Sequence, residues 1–216
     1  MRYGEAFQIQ QQIASERKEG LGTDHLLFVE HPHVITIGRN GREENLLAPL
    51  EMLERAGIEV HQTDRGGDVT YHGPGQIVGY PIIDVRDWKR DVGAYVRGIE
   101  QVLIATLQDF GIRAGRIAGL TGVWAVDRSH VEAKIAAIGI HLSRWISTHG
   151  FALNVSTDLE YFRYIVPCGL TKPVTSMAAL GVAAEIIEVK QAVIRHFGSV
   201  FDFEMRAETP ALTGRV

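Results

Sequence analysis

A single cysteine stands in the 216-residue chain, Cys168, in the stretch IVPCGL. Pro167 fixes the backbone on one side and Gly169 frees it on the other, a combination that presents a side chain on a tight turn. As a thiolate, Cys168 would be a nucleophile for acyl transfer or hydrolysis; as a thiol it would be a small buried hydrophobe. Lys134, in VEAKIAAIGIHL, opens an apolar run and is one of only five lysines. A lysine there is either a solvated strand-edge residue or, beside a thiol, the ammonium that stabilises a thiolate and can later act as a base. The third stretch, RGGDVTYHGPGQIVGYP from Arg65 to Pro81, sets five glycines among short β-type runs. Glycine weakens a strand, so its repetition here predicts a turn or a place where a ligand comes close to the backbone.

Other chemistries find less support. His31, His33, His61 and His72 gather in the first third of the chain. No second cysteine and no HExxH or CxxC pattern accompanies them, which argues against a metal centre. The glycine-rich stretch matches neither GxxxxGK[ST] nor a GxGxxG following a strand, so it does not read as a nucleotide cradle. A formal charge of −4 argues against a general nucleic-acid binder, although seventeen of the 22 positive charges are arginine and could form a local patch. With one cysteine, no intramolecular disulfide can form. The N-terminal sequence lacks a basic segment followed by an apolar one, and no run approaches the length of a membrane span, so a cytoplasmic location is expected.

These residues need elements to hold them. Tyr3, Ala6, Phe7, Ile9, Gln10 and Ile13 recur at helical spacing and predict an amphipathic first helix, closed by Gly20. HLLFVE and HVITIGR read as two strands or one bent strand, APLEMLERAG as a short helix and EVHQT as a strand. IVGYPIIDV has the near-continuous apolar character of a strand buried on both faces. The spacing of Val92, Tyr95, Val96, Ile99, Val102, Leu103, Leu107 and Phe110 predicts a long helix stopped by Gly111. GVWAVD, AKIAAIGIHLS and GFALNVS follow as three strands, then a helical turn within 156–162 and a last helix over 185–197. Residues 206–216 read as a frayed tail. No linker or repeat divides the chain, so the expectation is one α/β domain over residues 1–216, an α+β mixed sheet flanked by helices.

RGGDVTYHGPGQIVGYP, AKIAAIGIHLSRWISTHGFALNV, and IVPCGL followed by TSMAAL occur in that order between Arg65 and Leu180. Together they resemble the lipoyl(octanoyl) transferases, the octanoyltransferases of lipoate biosynthesis. The resemblance implies a fold similar to the catalytic domain of biotin protein ligases and lipoate ligases. It also implies transfer of an octanoyl or lipoyl group from acyl carrier protein to a lysine amine. The acceptors would be the lipoyl domains of 2-oxoacid dehydrogenase E2 subunits and the glycine cleavage H protein. By the same resemblance Cys168 is the acyl-accepting nucleophile and Lys134 its activator, and no cofactor or metal takes part. Substrate contacts map onto Arg65, Gly66, Gly67, Asp68, Val69, Thr70, Tyr71 and His72, onto Ala137, Ile138 and Gly139, and onto Gly150, Phe151 and Ala152. Glycines 66, 67, 73 and 75 would then admit a thin acyl chain, their N–H groups facing the developing oxyanion.

Overall fold

In the computed structural model, which describes residues 1–126, 130–166 and 172–207, the chain begins with the amphipathic helix α1, Tyr3–Lys18. Its buried residues Tyr3, Ala6, Gln10 and Ala14 fall at three- and four-residue spacing, and Gly20 follows in the left-handed region at φ 77°. The two apolar runs that follow are separate strands, β1 (His25–Val29) and β2 (Val34–Ile37). They enter different sheets, with Pro32 at the break. A short helix α2 (Leu50–Arg55) leads to β3 (Glu59–Gln62) and β4 (Val69–His72), and then to β5 (Gln76–Ile82), every residue of which is buried.

The long helix α3, Val92–Asp109, starts where Asp91 accepts a hydrogen bond from the Ala94 N–H, and Gly111 turns the chain away at φ 74°. Its stripe of Tyr95, Ile99, Val102, Leu103 and Leu107 is buried. Each such side chain contributes roughly 1.5–3 kcal/mol on leaving water. Four antiparallel strands follow: β6 (Ala114–Ile117), β7 (Leu120–Val126), β8 (Glu132–Ser143) and β9 (Ile146–Asn154). A six-residue 3-10 segment, Leu159–Tyr164, occupies the region expected to form a helical turn, and α4 (Ile186–Phe201) ends the described elements. The frayed tail lies mostly in residues 208–216, outside the described residues.

Of the two sheets, only the smaller is mixed. One sheet runs β1-β5-β9-β8-β7-β6 and is antiparallel throughout. The smaller one runs β3-β2-β4, with β2 parallel to β3 and antiparallel to β4. Strand alternation divides the core in two. Ile77, Phe151 and Leu153 pack in one cluster with Ile99, Leu103, Phe197 and Phe201 of α3 and α4. Val78, Tyr80 and Ala152 belong to the other cluster, with Ala6 and Ala14 of α1. Ile35, Ile37, Val69 and Tyr71 form a third cluster with Leu53 of α2. Because β4 lies in the small sheet and β5 in the large one, the glycine-rich turn between them carries the chain from one sheet to the other.

Candidate active site

Lys134 owes its direction to a fault in the β7/β8 ladder. Trp124 pairs with Lys134 and Val123 with Ala136, so Ile135 is an extra residue on β8. In a regular strand, residues 134 and 137 would face opposite ways. The extra residue lets Lys134 and Ala137 line the same cleft while Ile135 and Ala136 stay in the core. Lys134 is 6% exposed, and its Nζ stands 4.8 Å from the centroid of the Trp124 ring. Its stem crosses Gly122, where a Cβ would meet Cε at 3.4 Å. The buried carboxylate of Glu100 on α3 accepts from the Gly122 N–H at 3.1 Å and from Arg116 Nε at 2.8 Å, pinning β6 and β7 beneath that stem.

Cys168 lies in 167–171, outside the described residues, but both neighbours of that segment are anchored. On one side the Val166 N–H donates to Asn45 O at 2.8 Å. On the other, the Lys134 N–H donates to Pro173 O at 2.8 Å and the Thr175 N–H donates to Lys134 O at 2.9 Å, with Val174 bridged in parallel to Lys134. The chain therefore leaves the described fold beside Asn45 and returns against Lys134 itself.

Two adjoining clefts open between the large sheet and β4. The first is lined by Lys134, Val174, Phe162, Gln76 and Asn154, the second by Arg65, Gly67, His72, Tyr3, Tyr80 and His149. Thr70, Ala137 and Ala152 line both and form the passage between them. The second cleft is the roomier of the two and is open to solvent.

A directed hydrogen-bond chain runs behind the clefts. Gln76 Nε2 donates to Asn154 Oδ1 at 2.9 Å and to Tyr71 O, which leaves Gln76 Oε1 as the acceptor for His72 Nδ1–H at 2.8 Å. Asn154 Nδ2 donates to Thr175 O at 3.0 Å. At the other end, Arg65 donates from Nε and Nη2 to Thr36 Oγ1, whose hydroxyl lies 3.4 Å from His72 Nε2. This network assigns His72 the neutral tautomer with its proton on Nδ1. Burial, reinforced by His31, pushes the imidazole down to about 3, so it stays uncharged at neutral pH. Burial also lowers His31 and His149, the latter against the opposing pull of Asp64, whose carboxylate is 2.6 Å from His149 Nε2. Burial pushes Tyr3 up to about 12 and Tyr80 well above its ordinary value. Apart from Arg65, the titratable walls of the second cleft are uncharged at neutral pH, a setting suited to an apolar chain.

Of the predicted contact residues, Arg65, Gly67, Thr70 and His72 line the clefts, as do Ala137, Ile138, Gly139, Gly150, Phe151 and Ala152. Val69 and Tyr71 do not: the two-residue alternation of β4 turns them into the small sheet's own core. Asp68 accepts from the Arg42 N–H and from Asn45 Nδ2, holding the loop whose Asn45 carbonyl accepts from the Val166 N–H. Gly66 lies outside both linings, and its N–H is engaged by Ile140 O at 2.8 Å, so it offers nothing to an oxyanion. Glycines 73 and 75 serve packing: a Cβ at Gly73 would overlap the Tyr71 ring, and one at Gly75 would come within 2.7 Å of the Ser156 backbone. Tyr3, Tyr80 and His149 line the second cleft although the sequence reading does not single them out. Tyr80 and His149 sit in the quoted motifs, whereas nothing in the sequence of α1 marks Tyr3 as a cleft residue. Among the described residues, no group of three or more histidine, cysteine or acidic side chains could hold a metal ion, and no helix is long and apolar enough to cross a membrane.

A two-sheet α/β frame of this kind is also found in known proteins. The profile of the lipoyl protein ligase A/B catalytic domain matches residues 2–198, and the chain belongs to that family. It is 68% identical over 203 residues to an octanoyltransferase of Solibacter usitatus, across 94% of this chain and 90% of that one. Further relatives at 46–51% identity carry the same name. Among solved structures, lipoate-protein ligase A bound with ATP is similar at a TM-score of 0.74 with 19% identity, over 93% of this chain and 83% of that chain. A biotin protein ligase from Aquifex aeolicus, in complex with biotin and ATP, reaches a TM-score of 0.50 with 12% identity, over 77% and 70%. Those two likenesses concern the fold alone, and the fold is the one the sequence motifs implied.

Proposed function

We propose that the chain relays an octanoyl group through a thioester on Cys168, with Lys134 moving the protons. Its activity is octanoyl transfer in protein lipoylation, in keeping with its octanoyltransferase relatives. The donor is octanoyl-acyl carrier protein. The acceptors are lysines on lipoyl domains, those of 2-oxoacid dehydrogenase E2 subunits and of the glycine cleavage H protein, and the reaction runs in the cytoplasm.

The observation that carries this reading is the backbone stapling of residues 173–175 to Lys134, which ties the segment following Cys168 to a buried ammonium. A cation beside a thiol favours the thiolate. Sγ attacks the thioester carbonyl, the acyl–sulfur bond to phosphopantetheine breaks, and the leaving thiolate takes a proton from the Lys134 ammonium. The lysine amine of the lipoyl domain then attacks the acyl-enzyme. The neutral Lys134 amine takes its extra proton, the amide forms, and Cys168 leaves as thiolate. Both protonation states are thereby restored, and neither ATP nor metal enters the balance. The acyl chain lies along the passage of Thr70, Ala137 and Ala152 toward the uncharged second cleft.

Intact-mass analysis of the full chain with octanoyl-acyl carrier protein tests the relay. An octanoyl adduct should form on the wild type, discharge on adding a lipoyl domain, and be absent from Cys168→Ser, because a hydroxyl stays protonated and is a poor thioester acceptor. Full turnover by Cys168→Ser refutes the relay. Octanoylation of the lipoyl domain from free octanoate and ATP would make the chain a ligase instead.

A further inference from the structure

We propose that Trp124 is a positioning residue for the base: its indole face fixes where the Lys134 ammonium stands and thereby sets how much of the Cys168 thiol is ionised. The inference rests on the dyad reading above and adds a residue to it.

Lys134 is almost fully buried, and a buried ammonium needs compensation. The usual compensation is a carboxylate, yet no ion pair among the described residues includes Lys134, and the side chain its ammonium meets among them is the Trp124 ring at 4.8 Å. The two residues are direct cross-strand partners, so the stem is confined over Gly122 and the head over the ring two positions along the same strand. An aromatic face attracts a cation through its quadrupole and carries no net charge. A carboxylate would hold the ammonium as firmly but would cancel its field at the thiol of the proposed dyad; the ring leaves that field available.

The choice of indole supports this assignment independently. Trp124 is 4% exposed, and its Nε1–H has no hydrogen-bond partner among the described residues. A buried unpaired donor is costly, so the N–H does not account for tryptophan at this position. Its ring face does, because the indole presents the strongest cation-binding face of the aromatic side chains. The same ring lies 5.9 Å from the Nζ of Lys172, which is paired with Glu132 at 3.0 Å. Lys172 is the first described residue after the Cys168 segment, so one indole borders both the base and the chain that carries the nucleophile.

The test is the pH dependence of Cys168 alkylation by iodoacetamide in the full chain, where Cys168 is the only thiol. Site-specific incorporation of tryptophans carrying one, two and three ring fluorines at position 124 drains the ring face while keeping its shape. The expected result is a stepwise alkaline displacement of the profile with each fluorine at an unchanged melting temperature. Trp124→Leu should slow alkylation at pH 7 by about tenfold and recover the rate in alkaline buffer. Superimposable profiles across the fluorinated series overturn the proposal, and that series decides the matter even if Trp124→Leu fails to fold. Lys134→Met separates the two levels of the argument. If it shifts the profile and fluorination does not, only the role of Trp124 falls; if it leaves the profile unchanged, the dyad falls and takes this inference with it.

Discussion

The most quantitative consequence of the site concerns acid and His72. Its imidazole ordinarily titrates at 6.5, and burial, with His31 and Arg65 adding to it, pushes it down to about 3 in the folded chain. The unfolded chain therefore takes up the proton first. The stability this neutral histidine contributes is complete above 6.5 and is lost as pH falls from 6.5 toward 3. Within that window one group costs about 1.4 kcal/mol per pH unit, so between pH 7 and pH 5 the loss is about 2 kcal/mol. His31 and His149 are lowered by burial too and push in the same direction, so the wild-type loss should exceed that figure. His72→Gln removes the titration, and its absolute stability at pH 7 should fall with the hydrogen bond to Gln76. The decisive quantity is the difference between differences, from urea unfolding of both proteins at pH 7, 6 and 5. The variant should lose about 2 kcal/mol less than the wild type between pH 7 and pH 5. Equal acid sensitivity, or an imidazole of His72 seen by NMR to titrate near its ordinary value, would refute the reasoning.

Gly75→Val should destabilise the chain by about 3 kcal/mol or more, because residue 75 sits at φ 78° and its Cβ would press on the Ser156 backbone. Thermal melting checks this, and an unchanged midpoint would show that the turn relaxes freely. Ala152→Val narrows the passage between the two clefts and should cut octanoyl transfer about tenfold or more while sparing butyryl transfer. Competing the two acyl carrier protein thioesters in one assay reads the ratio, and an equal fall for both chain lengths would place the acyl path elsewhere.

The helices are legible in the amino-acid sequence because an apolar stripe at 3.6-residue spacing is a local property: α3 runs from Val92 to Asp109 and ends before the expected stop at Gly111. What is not legible depends on a partner strand. β6 carries no signal of its own, since AGRI has no alternation and is held by the Glu100–Arg116 pair and its ladder to β7. The expectation that Lys134 could be a solvated edge residue is corrected by its burial, whose cause is the extra residue at Ile135. A register fault depends on the neighbouring strand and leaves no mark in the sequence of β8. The motif from Arg65 to His72 is contiguous in sequence, but a strand shows one face to a ligand and the other to a core. Only alternate residues of β4, Thr70 and His72, reach the clefts.

The same alternation explains why the glycine-rich motif is continuous although half of it touches no cleft. Val69 and Tyr71 anchor β4 in the small sheet, Thr70 and His72 face the large one, and Gln76 at the start of β5 accepts the hydrogen bond from His72 Nδ1–H. Glycines 73 and 75 let the connecting turn pass close to Tyr71 and Ser156, which sets the two sheets against each other across the clefts. The hydrogen-bond chain continues through Asn154 to Thr175, whose own N–H binds the Lys134 carbonyl. A change at His72 thus has a physical route to the backbone of Lys134 and to the segment returning from Cys168. The wall proposed to bind the acyl chain and the lysine proposed to move the protons are thus joined by one chain of hydrogen bonds.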